Sequence, residues 1–172
     1  MTEVGAGRTL GRARRPRVVK RLGLRIAFVG FSDVNPSGFG AGPRRPGTVF
    51  ASPGRVIRDV RRAARRADVV IATFHWGVER AGRPSQRQHA LARSALAGGA
   101  DAVIGAHPHV LQPISRRGRR VVAYSLGNFV WSAGSPATAR PGILRLGLSR
   151  RGVEDAKLLP AVIEATRPRL LR

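Results

Sequence analysis

Three apolar runs, VVIATFH, DAVIGAHPH and RVVAYSLGNFVW, fall in order between Asp68 and Trp131 and constrain this chain more than any other feature. Val69-Val70-Ile71-Ala72 and Ala102-Val103-Ile104 are short, continuous and rich in β-branched residues, the pattern of strands buried on both faces of a sheet. Each breaks at its C-terminal end into a loop that carries histidine: His75 after the first, His107 and His109 after the second. In open α/β sheets the carboxyl ends of the strands are where sites are built, so this placement points to function rather than packing.

The segments between these runs complete a β-α-β-α-β order. A strand is expected at about Leu24–Gly30, followed by a Gly/Pro-rich loop to Ser52. A helix is expected from Pro53 to Arg66, with Val56, Ile57, Val60, Ala63 and Ala64 on one face and arginines on the other. A second helix runs from Ser85, a good N-cap, to about Ala97, where Gly98-Gly99 is a good stop. Val110–Ser115 and Arg119–Tyr124 flank Arg116-Arg117-Gly118 as a hairpin. Gly142–Leu148 and Val153–Ile163 read as closing strands, and Ser132–Pro141 as a mobile loop. Residues 1–22 read as a basic, disordered tail, 23–165 as the folded domain and 166–172 as a second basic tail.

The three strand-end histidines suit metal coordination. Neutral imidazole is the commonest protein metal ligand, and Pro108 stiffens the loop that presents His107 and His109. The competing reading is that they cap strand ends through ordinary hydrogen bonds. His89, in the second helix, reads as a solvent-facing or interfacial histidine with no role. Asp33, Asn35 and Asp59 are the other donors to weigh, but Asp33-Val34-Asn35-Pro36 has the composition of an ordinary turn.

HWGVE, PSQRQ, GADAVIGAHPHVLQPI and AYSLGNFVW, in this order and spacing, resemble the poly-γ-glutamate capsule synthesis (CapA-like) family, a branch of the calcineurin-like metallophosphatases. The resemblance covers about Leu24–Leu148 and corresponds to the C-terminal half of that fold, so the expected class is α/β, part of a two-sheet metallophosphatase-like sandwich. It implies that His75, His107 and His109 are metal ligands for a divalent transition metal (Mn, Fe or Zn). Gly105 of the Gly-x-His-x-His motif is present, while Ala106 stands where the family often has a further histidine. Glu79 either orients an imidazole or pairs with an arginine, Trp76 either lines a cleft or covers the sheet end, and Asn128 either turns its amide toward the site or makes a tight turn with Gly127. No residue is assigned a catalytic role.

The Asp-containing motif and the Asn-Asn-His motif that open the family pattern have no counterpart here, and residues 1–21 contain no Asp, Asn or His. Two ions about 3.5–4 Å apart need a bridging carboxylate and more donors than three histidines. The expectation is therefore a truncated member with an incomplete two-metal site, its partner a chain supplying the N-terminal half. A non-catalytic remnant or partner-dependent subunit is the alternative, and exposed sheet faces with poor solubility are a further expectation.

Composition removes other classes. The net charge of +23 invites a nucleic-acid reading, but apart from Lys20 and Lys157 the 32 basic residues are arginines scattered along the chain, and aromatics make up only 5%. No zinc-finger, RNA-recognition or KH signature is present, so specific nucleic-acid binding is not expected. There is no cysteine for disulfides or thiolate ligation. No apolar run approaches the roughly 20 residues of a membrane-spanning helix, and the N-terminus lacks the apolar core of a secretory signal. The resemblance is to a family whose intact members often act at the cell envelope; location is left open for this chain.

Overall fold

The computed structural model describes residues 3–36, 38–132 and 134–171. In chain order the elements are β1 (Ala6–Gly7), α1 (Leu10–Ala13), β2 (Arg17–Arg21), β3 (Leu24–Ser32), β4 (Gly47–Thr48), α2 (Pro53–Ala64), β5 (Val69–His75), α3 (Gln86–Gly98) and β6 (Ala102–Ala106). They are followed by β7 (Ile114–Arg117), β8 (Arg120–Ala123), β9 (Gly142–Ser149), β10 (Gly152–Glu164) and β11 (Arg167–Leu170).

The expected buried strands form the centre of a six-stranded sheet of order β2-β3-β5-β6-β8-β7. β3, β5, β6 and β8 run parallel, and β2 and β7 pair antiparallel at the two edges. The parallel register aligns Ser32 with His75 and His75 with Ala106, so these strands finish side by side. Being buried on both faces, they have two cores to fill. On one face α2 and α3 supply Val56, Val60, Leu91 and Ala95 against Val70, Ala72 and Val103. On the other, β9 and β10 of a second sheet (order β11-β10-β9) bring Leu144, Leu146, Leu148 and Val153 against Val69, Ile71 and Val121. The two packed sheets match the α/β sandwich expected from the sequence, with the helices covering the outer face of the larger one.

The basic ends are folded where described, contrary to the disordered tails expected; Met1, Thr2 and Arg172 lie outside the described residues. β2 extends the central sheet beside β3, and β1 pairs with β4. Arg14, just after α1, makes a forked contact to buried Asp59 of α2, with Nε 2.8 Å from Oδ2. A guanidinium read from composition as a solvated charge is thus the counter-ion of a buried carboxylate. At the other end β11 pairs with β10 over Glu164–Arg167. Ser132–Pro141, expected to be mobile, contains a turn in which the Ser135 and Thr138 side chains bond each other at 3.1 Å and Ala139 N donates to Ser135 O.

Asp68 clamps the entry of β5 to β3. Its carboxylate accepts from the Arg25 backbone N–H at 2.8 Å and from the Arg25 guanidinium at 2.8 Å. The Arg25 contacts hold the Asp68 carboxyl at about 2, below its ordinary 3.8. Because the folded value is depressed, the stabilisation is present above the unfolded value and lost as pH falls from about 4 through 2. Asp68→Asn is expected to flatten the acid limb of stability in that window and leave stability above pH 5 less pH-dependent than this limb; urea unfolding at pH 2.5, 4 and 6 checks it. An acid limb as steep as that of the parent would show that other carboxylates carry it.

Candidate metal centre

His75 ends β5, and the loop that follows is tied twice to the loop that follows β6: Trp76 N donates to Ala106 O at 3.1 Å and Arg80 N to Pro108 O at 2.8 Å. These bonds bring the three histidines together. The His75 and His107 rings lie 4.6 Å apart and those of His107 and His109 5.8 Å apart, centroid to centroid. The tightest set of donors is Glu79, His107 and His109, whose ligand atoms all lie within 4.8 Å of one another. Glu79 therefore lies close enough to His107 and His109 to share an ion with them, and His75 flanks His107 beside that set.

Charge and backbone both mark this place. The chain has nine acidic residues against 32 basic ones. Seven of the nine form ion pairs, and Asp101 accepts from the Val70 backbone N–H. Glu79 alone makes neither an ion pair nor a hydrogen bond among the described residues, so the salt bridge weighed for it from the sequence does not form. His107 and His109 adopt positive φ, +100° and +62°, which costs a non-glycine residue roughly 1–3 kcal/mol. His75 sits below the usual imidazole range because of desolvation and then the neighbouring His107 and His109. His107 is lowered by desolvation, a shift that Glu79 opposes. Imidazoles held neutral are in the form that binds metal.

The Asn128 amide reaches the histidine cluster through His109, while Gly127, at φ +74°, and Asn128 lie in irregular chain and make no tight turn. His109 Nδ1–H donates to Asn128 Oδ1 at 2.7 Å, which leaves the Nε2 lone pair free, while Asn128 Nδ2 donates to Thr138 O at 3.1 Å. Replacing an orienting partner of this kind costs about 10–100-fold in metal affinity. Asn128→Ala is expected to lose Mn²⁺ affinity in that range, with Asn128→Asp, which keeps an acceptor, losing less; competition against a fluorescent chelator reads both.

Trp76 lines no cleft. It is fully buried, stacks on Phe74 at 4.3 Å and donates Nε1–H to Tyr124 O at 2.8 Å. Asp33, Asn35 and Asp59 are committed elsewhere: Asp33 to the Arg87 guanidinium at 2.8 Å, Asn35 to Thr48 Oγ1 and Ser32 O, and Asp59 to Arg14. His89 is interfacial, as one of its two readings had it, with Nδ1 2.7 Å from the Tyr124 hydroxyl.

Two glutamines escaped the sequence reading. Buried Gln88 caps α3 through Ser85 and donates Nε2–H to buried Gln112 Oε1 at 2.8 Å. Gln112 in turn donates to Ala81 O and Arg83 O. This pair fastens the Glu79 loop to the chain leaving His109. Only their place inside PSQRQ and HVLQPI could have signalled them. Beside His75 opens a cleft of about 490 Å³ whose lining includes Phe31, Val34, Phe39, Thr73 and Ala106.

Residues 1–133 match the family model of the bacterial capsule synthesis protein PGA_cap. The chain belongs to this family. PGA_cap similarity thus begins upstream of the Leu24 limit set by motifs and takes in β1, α1 and β2. The chain is 37% identical over 166 residues to the PGA biosynthesis protein CapA of Bacillus subtilis (strain 168), covering 96% of this chain and 44% of that protein. It is 32% identical over 170 residues to the capsule biosynthesis protein CapA of Bacillus anthracis, covering 96% of this chain and 41% of that one. The chain therefore spans less than half the length of these curated relatives.

Among solved structures, the sulfate thiohydrolase SoxB of Thermus thermophilus superposes with a TM-score of 0.58 at 20% identity, covering 90% of this chain and 26% of that one. The NAD nucleotidase NadN of Haemophilus influenzae gives 0.50 at 13% identity, covering 91% and 34%. These likenesses are of fold, and the fold of the PGA_cap chain is a metallophosphatase-like α/β fold.

Proposed function

We propose that this chain is the histidine-bearing part of a CapA-like protein of poly-γ-glutamate capsule synthesis, and that Glu79, His107, His109 and His75 hold a divalent transition metal, Mn, Fe or Zn. The observation that carries the reading is the single acidic side chain without a partner among the described residues, in a chain of 32 cations, standing within 4.8 Å of two histidine donors on a strained loop. Nitrogen and carboxylate donors together suit such an ion. When bound, the ion supplies Lewis-acid polarisation and a lowered pKa for water, the chemistry of phosphoester hydrolysis. The chain's own residues hold and orient: Asn128 fixes the His109 tautomer, and the Gln88–Gln112 pair holds the Glu79 loop.

Three imidazoles and one carboxylate can serve one ion. A bridged pair needs more donors than the described residues bring to this place, and we infer that a partner chain supplies them in the active assembly. The same shortage favours a second reading, a metal-binding but partner-dependent subunit that does not turn over alone. Elemental analysis of the purified chain for Mn, Fe and Zn, with a generic phosphodiester assay, tests both. About one ion per chain supports the metal centre, turnover decides between the two readings, and soluble folded protein that binds none of the three ions would overturn both.

A further inference from the structure

A second cavity, of about 840 Å³, opens between α3 and the β7–β8 hairpin and shares no lining residue with the histidine cluster. Arg93 comes to it from α3, and Arg117 and Arg120 from the hairpin, over apolar surface that includes Leu96 and Tyr124. No carboxylate lines it, and none of these three arginines forms an ion pair among the described residues. The shortage is built into the composition. Among the described residues seven of the nine acids are paired elsewhere and Glu79 lies among the histidines; Asp101, bonded to the Val70 N–H, attracts Arg120 from outside the cavity and does not line it.

Arg120 is held in place by a neutral carbonyl, its Nη1 donating to Leu96 O at 3.3 Å, a bond that restricts the side chain without neutralising it. Arg116 points the other way: it pairs with Val121 across the hairpin and its Nη2 donates to Glu154 O of β10 at 2.7 Å, on the face toward the second sheet. The Tyr124 hydroxyl is already engaged by His89, so the phenol presents its ring. Guanidinium forks match phosphate oxygens two at a time, and the volume falls within the range of small-ligand sites.

We propose that this cavity binds a small molecule bearing at least two phosphoryl groups, either free as a pyrophosphate or carried on a nucleotide. Arg93 and Arg117, which make no side-chain bond among the described residues, close on the phosphates from opposite walls, while Arg120 forms the anchored side. The site does not depend on metal at the histidines.

The test is calorimetric titration of the full chain with pyrophosphate, ADP, adenosine and citrate, in EDTA and at about 0.15 M salt so that diffuse attraction to the net charge is screened. Saturable 1:1 binding of pyrophosphate is expected, weakened by about tenfold or more in Arg93→Ala/Arg117→Ala and also weakened in Arg93→Lys/Arg117→Lys, which keeps the charge but not the forks. Equal affinity for ADP would assign recognition to the phosphates alone, and tighter ADP binding would add the apolar wall; both support the site. A charge-matched control, Arg58→Ala/Arg61→Ala on the exposed face of α2, should bind as the parent does. Equal weakening in that control, citrate binding as tightly as pyrophosphate, or no saturable binding by protein with a parental circular dichroism spectrum would overturn the proposal.

Discussion

Replacing His107 and His109 together by alanine is expected to lower Mn²⁺ affinity by roughly a thousandfold, about 4 kcal/mol, because two of the closest donors leave at once. The more telling experiment separates binding from folding. His107 stands at φ +100°, a conformation in which alanine is nearly as strained as histidine and glycine is not. His107→Gly should therefore lose the metal as His107→Ala does, yet the metal-free glycine variant should be the more stable of the two by about 1 kcal/mol, the strain relieved less the added freedom of the unfolded chain. Denaturant unfolding in EDTA reads this difference and chelator competition reads the metal. If the glycine variant is no more stable than the alanine variant, the loop is not strained in solution. If both keep the parental affinity, His107 is not a ligand. A histidine that merely capped a strand end would give no reason for stability and metal affinity to move in opposite directions.

That separation also marks what the sequence could and could not show. Continuous β-branched runs read directly as the parallel strands β5 and β6, because burial on both faces leaves a local signal. His75, His107 and His109 were legible as a group because each follows such a strand. Long-range pairings left no comparable trace. Arg14 lies in a run of arginines that looks solvated, and only the fold reveals Asp59, 45 residues away, as its buried partner. Trp76 sits between two candidate site residues in the sequence but points into the core, since its direction depends on how β5 ends and not on its neighbours. Glu79 could not be ranked as donor or surface ion from the sequence, because that depends on which arginines reach it. Its loop is set by bonds to Pro108 and by the Gln88–Gln112 pair, contacts between segments far apart in the chain.

Gly105 lies in the histidine motif, but its environment assigns it to packing, and Gly105→Ala is expected to destabilise the chain severely. A Cβ there would strike the Tyr124 carbonyl oxygen and Trp76 Nε1, the two atoms that share a buried hydrogen bond. Neither is the free end of a flexible side chain: one is backbone and the other belongs to an indole stacked on Phe74. Overpacking of this kind costs about 1–3 kcal/mol and a buried donor left unpaired about as much again, so about 4 kcal/mol is expected. For a domain of this size that lowers the melting temperature by about 10 °C. Trp76→Phe removes the indole nitrogen and makes room on that side, at its own cost of a lost hydrogen bond. The double variant should then be less destabilised than the sum of the two single changes, the non-additivity expected of groups in direct contact. Strict additivity in thermal unfolding would mean that the alanine is accommodated by movement of β6 away from β8 instead. In that case His107 and His109, which follow β6 directly, would shift with it, and the metal affinity of Gly105→Ala would fall although no donor had been changed.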